Sequence, residues 1–592
     1  MANRISHGQP IVRKNRNRLK TVMKSRRSTK GAEIFVETLN RLGVDRIFLN
    51  PGIDLVPLMA TLAQYKASER KAPRVTLCTD ESVAVAAAHG SAMMTGKPQM
   101  VAVFEDVGLL QGGGAIVNLK YGRIPVVLVS GTNSIPHRTN WRGEPADQRR
   151  IIRDYVKWDH EITTNEDISS VLAEAFRVAS VEPCGPVYVA MGPGVLSAEP
   201  GSDAVAAPKA ADPARKPDVV DLQRASEILI AAENPLILAA YSGRHPESVA
   251  LLVDLAEMVG ARVITTDLRM NFPSTHPLCP GIDSILGGTY DHYIAEADVL
   301  LLVDYDFPGP IGKRFAPRAD ARIVHIDMEP LKNGAPLWGR QADVLIRGDS
   351  AGILRSLNAV IRPCLTQEKV LQIRGRCEGM GREHESVKAE FRAKAAAEAG
   401  KKPLSPDWLC LCINEAIDDD AVIVHMLPSN GDALSRQIRR TRPGTMFSWG
   451  DNAGSMGWPL GAALGAKLAV PDKMVVSLVG DGGFIYGCPV ATLWSAAAYH
   501  APFLTIIFNN QSYGIFKEIM PLFCDESLVT GDMGFEVGID IKNPPDFAAV
   551  ARACNAYGQT VEEPSELPSA LRSAIDEVQR GRSAVLDVKT QG

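Results

Sequence analysis

Short, continuously apolar runs alternate along the chain with longer segments whose apolar positions recur at helical spacing. From Gly31 onward, AEIFVETLNRLGV (32–44) is amphipathic and RIFLNPG (46–52) is a short strand entering a turn. VAVF (101–104) and IPVVLVSG (124–131) are strands apolar on both faces. Strands of that kind, separated by helices, predict a parallel sheet covered on both sides. The pattern stops near Pro193, and residues 196–218, rich in Ala, Pro, Asp and Ser, predict an exposed linker. A second alternating unit spans 219–360 with strands PLILAA, RVITT, VLLLVD and RIVHID. A helical linker at 361–402, mostly a charged stretch, leads to a third unit at 403–592 with strands AVIVHM, MVVSLVG, FLTIIFNN and AVLDV. The expected fold class is α/β, with three doubly wound parallel-sheet domains whose first member occupies 31–195.

Length and composition narrow the function classes. A chain of 592 residues, 45% hydrophobic and 22% charged, is too long for one core and excludes a small binding module. No apolar run is long enough to predict a membrane span. The net charge of −4 conceals an asymmetry: residues 1–30 carry ten Lys or Arg and no acid, leaving 54 basic against 68 acidic residues, a net −14, over 31–592. A body of that sign is not expected to bind nucleic acid. The basic opening predicts a disordered tail, with organelle targeting as the alternative for an Arg-rich, acid-free start. Ten cysteines without a disulfide or zinc spacing, Cys410 and Cys412 among them in an apolar helix, predict buried thiols and a cytoplasmic setting.

The third unit carries the candidate chemistry. Strand MVVSLVG runs into Gly480-Asp481-Gly482-Gly483, a helix-like ATLWSAAAYH follows, and strand FLTIIF runs into Asn509-Asn510-Gln511-Ser512. In a right-handed βαβ unit both strand ends open on one carboxyl edge, where such sheets bind ligands, so Asp481 and Asn510 are expected to converge. A carboxylate, an amide oxygen and a nearby backbone carbonyl are hard oxygen ligands suited to Mg²⁺. Glycines at 480, 482 and 483 let the backbone approach a phosphate closely. Taken alone, Asp-Gly is a common turn and Asn-Asn a common loop.

Gly-Asp-Gly, 26 residues, then Asn-Asn resembles the signature of thiamine-diphosphate-dependent enzymes. Gly454-Ser455-Met456-Gly457 is similar to the family's turn in which a glycine carbonyl receives the aminopyrimidine and a bulky side chain props the cofactor into a bent form. Thr79-Asp80-Glu81-Ser82, opening an Ala-rich segment, is similar to the place where the family's catalytic Glu starts a helix. The resemblance implies thiamine diphosphate and Mg²⁺ as cofactors, Asp481, Asn510 and Ser512 as metal ligands, and Glu81 as the acid sharing a proton with the pyrimidine ring. Further cofactor contacts are implied at Ser429, Asn430, Gly482, Gly483, Ser512 and Tyr513.

Across 31–592 the order of units resembles both acetolactate synthase and benzoylformate decarboxylase. Asn50-Pro51-Gly52 and Ala491–Ala497 lean toward the decarboxylase, whereas Met456 and Ile323–Asp327 lean toward the synthase. Departures bear on the substrate: Glu105-Asp106-Val107-Gly108 replaces a Gly-Pro-Gly loop, Ile53 replaces a catalytic Ser, and Phe104 falls near the position of a loop His. Ile53, Glu105 and Asp106 are therefore the candidate substrate contacts. Ala240–Gly243 and Asp304–Asp306 replace segments that acetolactate synthases use for flavin, so FAD is not predicted. The implied activity makes or breaks a carbon–carbon bond on a 2-oxo acid or related carbonyl donor, by ligation or by decarboxylation. A catalytically silent paralogue with a binding or assembly role is the reading from another class. The family further implies a homodimer or homotetramer with sites between chains, although a site within one chain is compatible with the sequence.

Overall fold

The computed structural model describes residues 30–132, 147–199, 217–283, 290–306, 317–330, 342–449, 454–525 and 533–591. Three six-stranded, fully parallel sheets follow one another along the chain. The first holds β1 (Arg46–Leu49), β2 (Arg74–Leu77), β3 (Gln99–Val103), β4 (Val126–Gly131), β5 (Asp159–Ile162) and β6 (Val187–Met191) in the order β2-β1-β3-β4-β6-β5. The second holds β7 (Pro235–Ala239), β8 (Arg262–Thr266), β9 (Gly281–Asp283), β10 (Val299–Val303), β11 (Arg322–Asp327) and β12 (Val344–Arg347) in the order β12-β11-β10-β7-β8-β9. The third holds β13 (Val422–Met426), β14 (Met446–Phe447), β15 (Val475–Gly480), β16 (Leu504–Asn509), β17 (Tyr557–Val561) and β18 (Ala584–Lys589) in the order β14-β13-β15-β16-β18-β17. The first and third sheets thus share one strand order. Helices cover both faces, which buries central strands such as β4, β10 and β16 from end to end, as their uninterrupted apolar sequences require.

Of the seams that join the units, two bear on the candidate site and the central crevice. The Glu81–Thr95 helix of the first unit packs on the Trp458–Ala469 helix of the third. Small residues permit the approach: a Cβ on Gly90 would stand 2.0 Å from the Ala462 carbonyl oxygen, and one on Gly465 1.7 Å from that of Ala87. The Leu77 amide donates to the Tyr499 hydroxyl at 2.6 Å across the same seam. The central unit meets the first at the carboxyl ends of β7 and β10, where its strand order reverses and where dinucleotides bind in sheets of this order. Here the crevice holds the chain's own side chains. Arg244 bridges Asp304 at 2.6 Å and Glu182 at 2.8 Å, Arg123 reaches Asp306 at 2.8 Å, and the Tyr241 hydroxyl donates to the Tyr121 carbonyl. Burial alone would raise the Glu182 carboxyl, but Arg244 and His245 beside it hold it well below the usual carboxylate range.

Two core histidines make the fold acid-sensitive. His89 packs edge-on against Trp458 with ring centroids 5.0 Å apart, and His425 lies inside β13. Burial pushes both below the ordinary histidine value of 6.5, His425 to about 4. Both stay neutral in the folded state, whereas the unfolded chain protonates them near pH 6.5. Stability is therefore expected to fall as pH drops from 6.5 toward 4, with a slope approaching about 1.4 kcal/mol per pH unit for each. Urea unfolding at several pH values reads this slope. A His425→Phe protein should show a shallower one, and an unchanged slope would contradict the assignment.

Candidate active site

The candidate metal ligands come from neighbouring strand ends. Gly480 of β15 pairs with Phe508 of β16, so Asp481 and Asn510 leave one carboxyl edge at nearly the same level. Gln511 then takes a left-handed conformation, φ 55°, turning the chain so that the Ser512 amide donates to Asn510 Oδ1 at 3.1 Å. Bulky residues adopt that conformation only when their surroundings hold them there. From β13, on the other side of β15, come Ser429 and Asn430, the latter preceding the Gly431–Gln437 helix. A Cβ at Gly514 would lie 2.9 Å from Asn510 Nδ2 and 3.0 Å from Ser429 Oγ, which places these two side chains together. Tyr513 closes over Gly482, where a Cβ would come within 2.4 Å of its ring, while Gly483 faces Val479 and Met426.

Asp481 is 2% exposed. Burial raises its pKa, and the amides of Gly482, Gln511 and Ser512 work against that rise, Gly482 donating at 2.7 Å. Its Oδ2 has no hydrogen-bond partner among the described residues. A buried carboxylate oxygen without a donor is costly unless a cation meets it, so the donor set of one carboxylate, one amide oxygen and backbone carbonyls fits a hard divalent ion. One local expectation changes. After β15 the sequence signals one helix-like segment, ATLWSAAAYH, whereas the structure has two helices, Asp481–Tyr486 and Pro489–Ala498. Cys488, at φ 48°, and Pro489 set the break.

At the other end of the site, Asp80 and Glu81 divide two roles. Asp80 caps the helix, accepting from the amides of Ser82 and Val83 and from the Ser82 hydroxyl, and Gln111 Nε2 donates to its second oxygen at 3.0 Å. Glu81 is the first helical residue and turns inward: it is 8% exposed, and a Cβ at Gly108 would stand 2.9 Å from its Oε1. Gly108 belongs to the Glu105–Gln111 helix, so Glu105, buried and held at φ 31°, and half-buried Asp106 lie within a turn of Glu81's neighbour. Ile53 is 81% exposed on the loop after β1.

Ser455 and Met456 meet the first unit across the glycine-lined seam. Ser82 and Val83 line a small cavity with Ser455, half-exposed Met456, Gly457 and Tyr486. Gly454 lies under the Trp449 indole, with no room for a Cβ. The loop's anchor is Asn118, a residue the sequence reading passed over. Its Oδ1 accepts from the Ser455 amide at 2.8 Å while its Nδ2 donates to the Ser455 carbonyl at 3.2 Å. An Asn inside the apolar run GAIVNLKY was the available signal, since a buried amide must find partners. Asn118→Leu strands both backbone groups and is expected to destabilise this loop by about 2 kcal/mol. Faster amide exchange and proteolysis confined to 454–457 would report that, and unchanged protection would remove Asn118 as the anchor.

Family models match the three units in order. The N-terminal TPP binding domain of thiamine pyrophosphate enzymes matches residues 29–151, the central domain of the same enzymes matches 222–357, and their C-terminal TPP binding domain matches 430–588. The chain belongs to the thiamine pyrophosphate enzyme family. Benzoylformate decarboxylase of Pseudomonas aeruginosa is 27% identical over 94% of this chain and 98% of its own length. A probable acetolactate synthase large subunit of Methanocaldococcus jannaschii is 26% identical over 92% of this chain and 90% of its own. Among solved structures, the thiamine diphosphate-dependent 4-hydroxybenzoylformate decarboxylase of Rhodococcus jostii RHA1 superposes with a TM-score of 0.78 at 22% identity, covering 95% of this chain and 99% of that one. This thiamine pyrophosphate enzyme therefore has the family's three-unit α/β architecture. No helix among its described residues is long and apolar enough to cross a membrane.

Proposed function

We propose that the protein is a Mg²⁺- and thiamine-diphosphate-dependent enzyme that makes or breaks a carbon–carbon bond beside the carbonyl of a 2-oxo acid, with acetolactate-synthase-like ligation favoured over simple decarboxylation. The observation that carries the reading is the partnerless Oδ2 of buried Asp481, beside Asn510 and Ser512 on one sheet edge. Asp481 Oδ, Asn510 Oδ1 and the Ser512 carbonyl would hold the metal, whose charge would offset that of the diphosphate. Ser429, Asn430, Gly482, Gly483 and Tyr513 surround that diphosphate. The cofactor, when bound, supplies the electron sink for the bond being made or broken. Glu81, in a pocket closed by Gly108, would share a proton with the pyrimidine ring. The Gly454 carbonyl would accept from the aminopyrimidine, and Met456, next to the Ser455 that Asn118 holds, would prop the cofactor in its bent form. Glu105 and Asp106 disfavour a second carboxylate and accept hydrogen bonds from a hydroxyl-bearing or cationic substrate. The domain division follows the sheets, at 31–195, 219–360 and 403–592.

The two-fold assembly rests on exposed apolar side chains: Ile53, Val107 and Leu110 on the first unit, and Ile485, Val490 and Trp494 on the third. Contact of those units within a single chain supports, with equal directness, a site closed inside it.

The decisive assay gives the loaded protein a panel of 2-oxo acids, with and without aldehydes, and follows CO₂ and ligated products by mass spectrometry. Ligated products bear out the favoured reading, and CO₂ with free aldehyde supports the decarboxylase. No turnover, with cofactor bound, points to the silent paralogue. Neutralising Glu105 and Asp106 together should shift preference among the panel; a uniform loss, or none, would remove them from substrate contact.

A further inference from the structure

The Gln367–Ala397 helix lies against the central unit, and between it and the Asp291–Glu296 helix is a cavity of about 310 Å³. That size is at the small end for ligand sites, and its walls have the usual character: Leu278, Met380, Tyr293 and Phe391 are apolar or aromatic, with a few polar groups converging. Most of those polar groups are already engaged. Arg262 pairs with Glu383 at 2.6 Å and lies over the Tyr293 ring, 4.7 Å from its centroid. The Tyr293 hydroxyl donates to the other Glu383 oxygen at 2.7 Å, and His384 Nδ1 is 2.9 Å from the Cys279 carbonyl oxygen.

Lys388 is the exception. It lines the cavity from the helix and makes no hydrogen bond or ion pair among the described residues. Cys279, the one group nearby that would favour its charge, is a buried thiol pushed up to about 11 and stays neutral at physiological pH, while Arg439 adds a second positive charge. Burial therefore lowers the Lys388 pKa with no anion to offset it. A half-buried ammonium facing aromatic walls lacks one thing, a negative group carried on an apolar body.

We propose that this cavity is a binding site for a small aromatic monocarboxylate, its ring among the apolar walls and its carboxylate on Lys388 Nζ. The site is built from the central unit and the long helix, and none of the candidate cofactor residues lines it.

The test uses the full chain with saturating thiamine diphosphate and Mg²⁺, and 4-fluorobenzoate as probe, followed by fluorine NMR. The probe should bind wild type and Asp481→Ala alike, weaken about tenfold or more in Lys388→Met, and hold within a few-fold in Lys388→Arg, the scale of a charge-assisted hydrogen bond. The neutral analogue 4-fluorobenzyl alcohol should bind more weakly than the acid. Three results would overturn the proposal: no binding at millimolar probe, equal binding of acid and alcohol, or binding lost in Asp481→Ala but kept in a Lys388→Met protein whose circular dichroism is native. A Lys388→Met protein that fails to fold leaves Lys388→Arg and the alcohol comparison to decide.

Discussion

Asp481→Ala and Asn510→Ala should each lose thiamine diphosphate in the presence of Mg²⁺, with affinity reduced by about a hundredfold or more, or about 3 kcal/mol. The size follows from the donor set. In the proposed donor set Asp481 is the carboxylate, so its loss would remove the charge that draws a divalent ion into a buried edge, and Asn510, from the neighbouring strand end, would supply the amide oxygen. Asp481→Asn separates charge from shape. It keeps an oxygen but loses the anion, and because burial raises the Asp481 pKa, the cofactor-free Asp481→Asn protein should melt above wild type while binding cofactor poorly. Calorimetry with and without Mg²⁺ supplies the first readout and thermal melts of the cofactor-free proteins the second. Undiminished affinity in both alanine variants would place the metal elsewhere.

Glu81→Gln should have the opposite profile. The proposed diphosphate contacts are in the third unit, so cofactor affinity should change little, while exchange of the thiazolium C2 proton slows by about 10²-fold or more, the scale of acid–base contributions. A glutamine fits the space against Gly108 but cannot hold the proton. Unchanged exchange would reduce Glu81 to a helix-start acid beside the real cap, Asp80. The same variant settles where the site closes. Mixing Glu81→Gln with Asp481→Ala under subunit exchange restores activity only when sites are shared between chains, because one site of each hybrid then carries neither lesion. Verified exchange without recovery would place the site within one chain.

The fold was legible wherever strands are covered on both faces. The apolar runs that announced themselves, such as IPVVLVSG, VLLLVD and FLTIIF, are central strands of their sheets. Edge strands escaped detection because one side meets solvent or a helix end. β2 begins with exposed Arg74, β12 alternates buried and exposed positions, and β14 has two residues. The pairing of Asp481 with Asn510 was readable because parallel register fixes which strand ends are level. Asn118 was not, since its partner is the backbone of a residue more than 300 positions away. The Lys388 cavity was equally out of reach, being formed by a helix folding back on a unit whose sequence ends before it starts.

The strand order common to the first and third sheets gives the two candidate working residues an unexpected kinship. Glu81 opens the helix that leads from β2 to β3, and Met456 stands just ahead of the helix that leads from β14 to β15. The two helices that meet at the seam are counterparts, and these residues stand at their starts, Glu81 as the first helical residue of one and Met456 two residues before the first helical residue, Trp458, of the other. One copy has a carboxylic acid near its helix start and the other a bulky thioether, so under the proposed reading a near-symmetric pair of elements would present two chemically different side chains to the cofactor. The chemical difference between the two ends of the proposed site would then lie in single side chains, on two units that share one strand order.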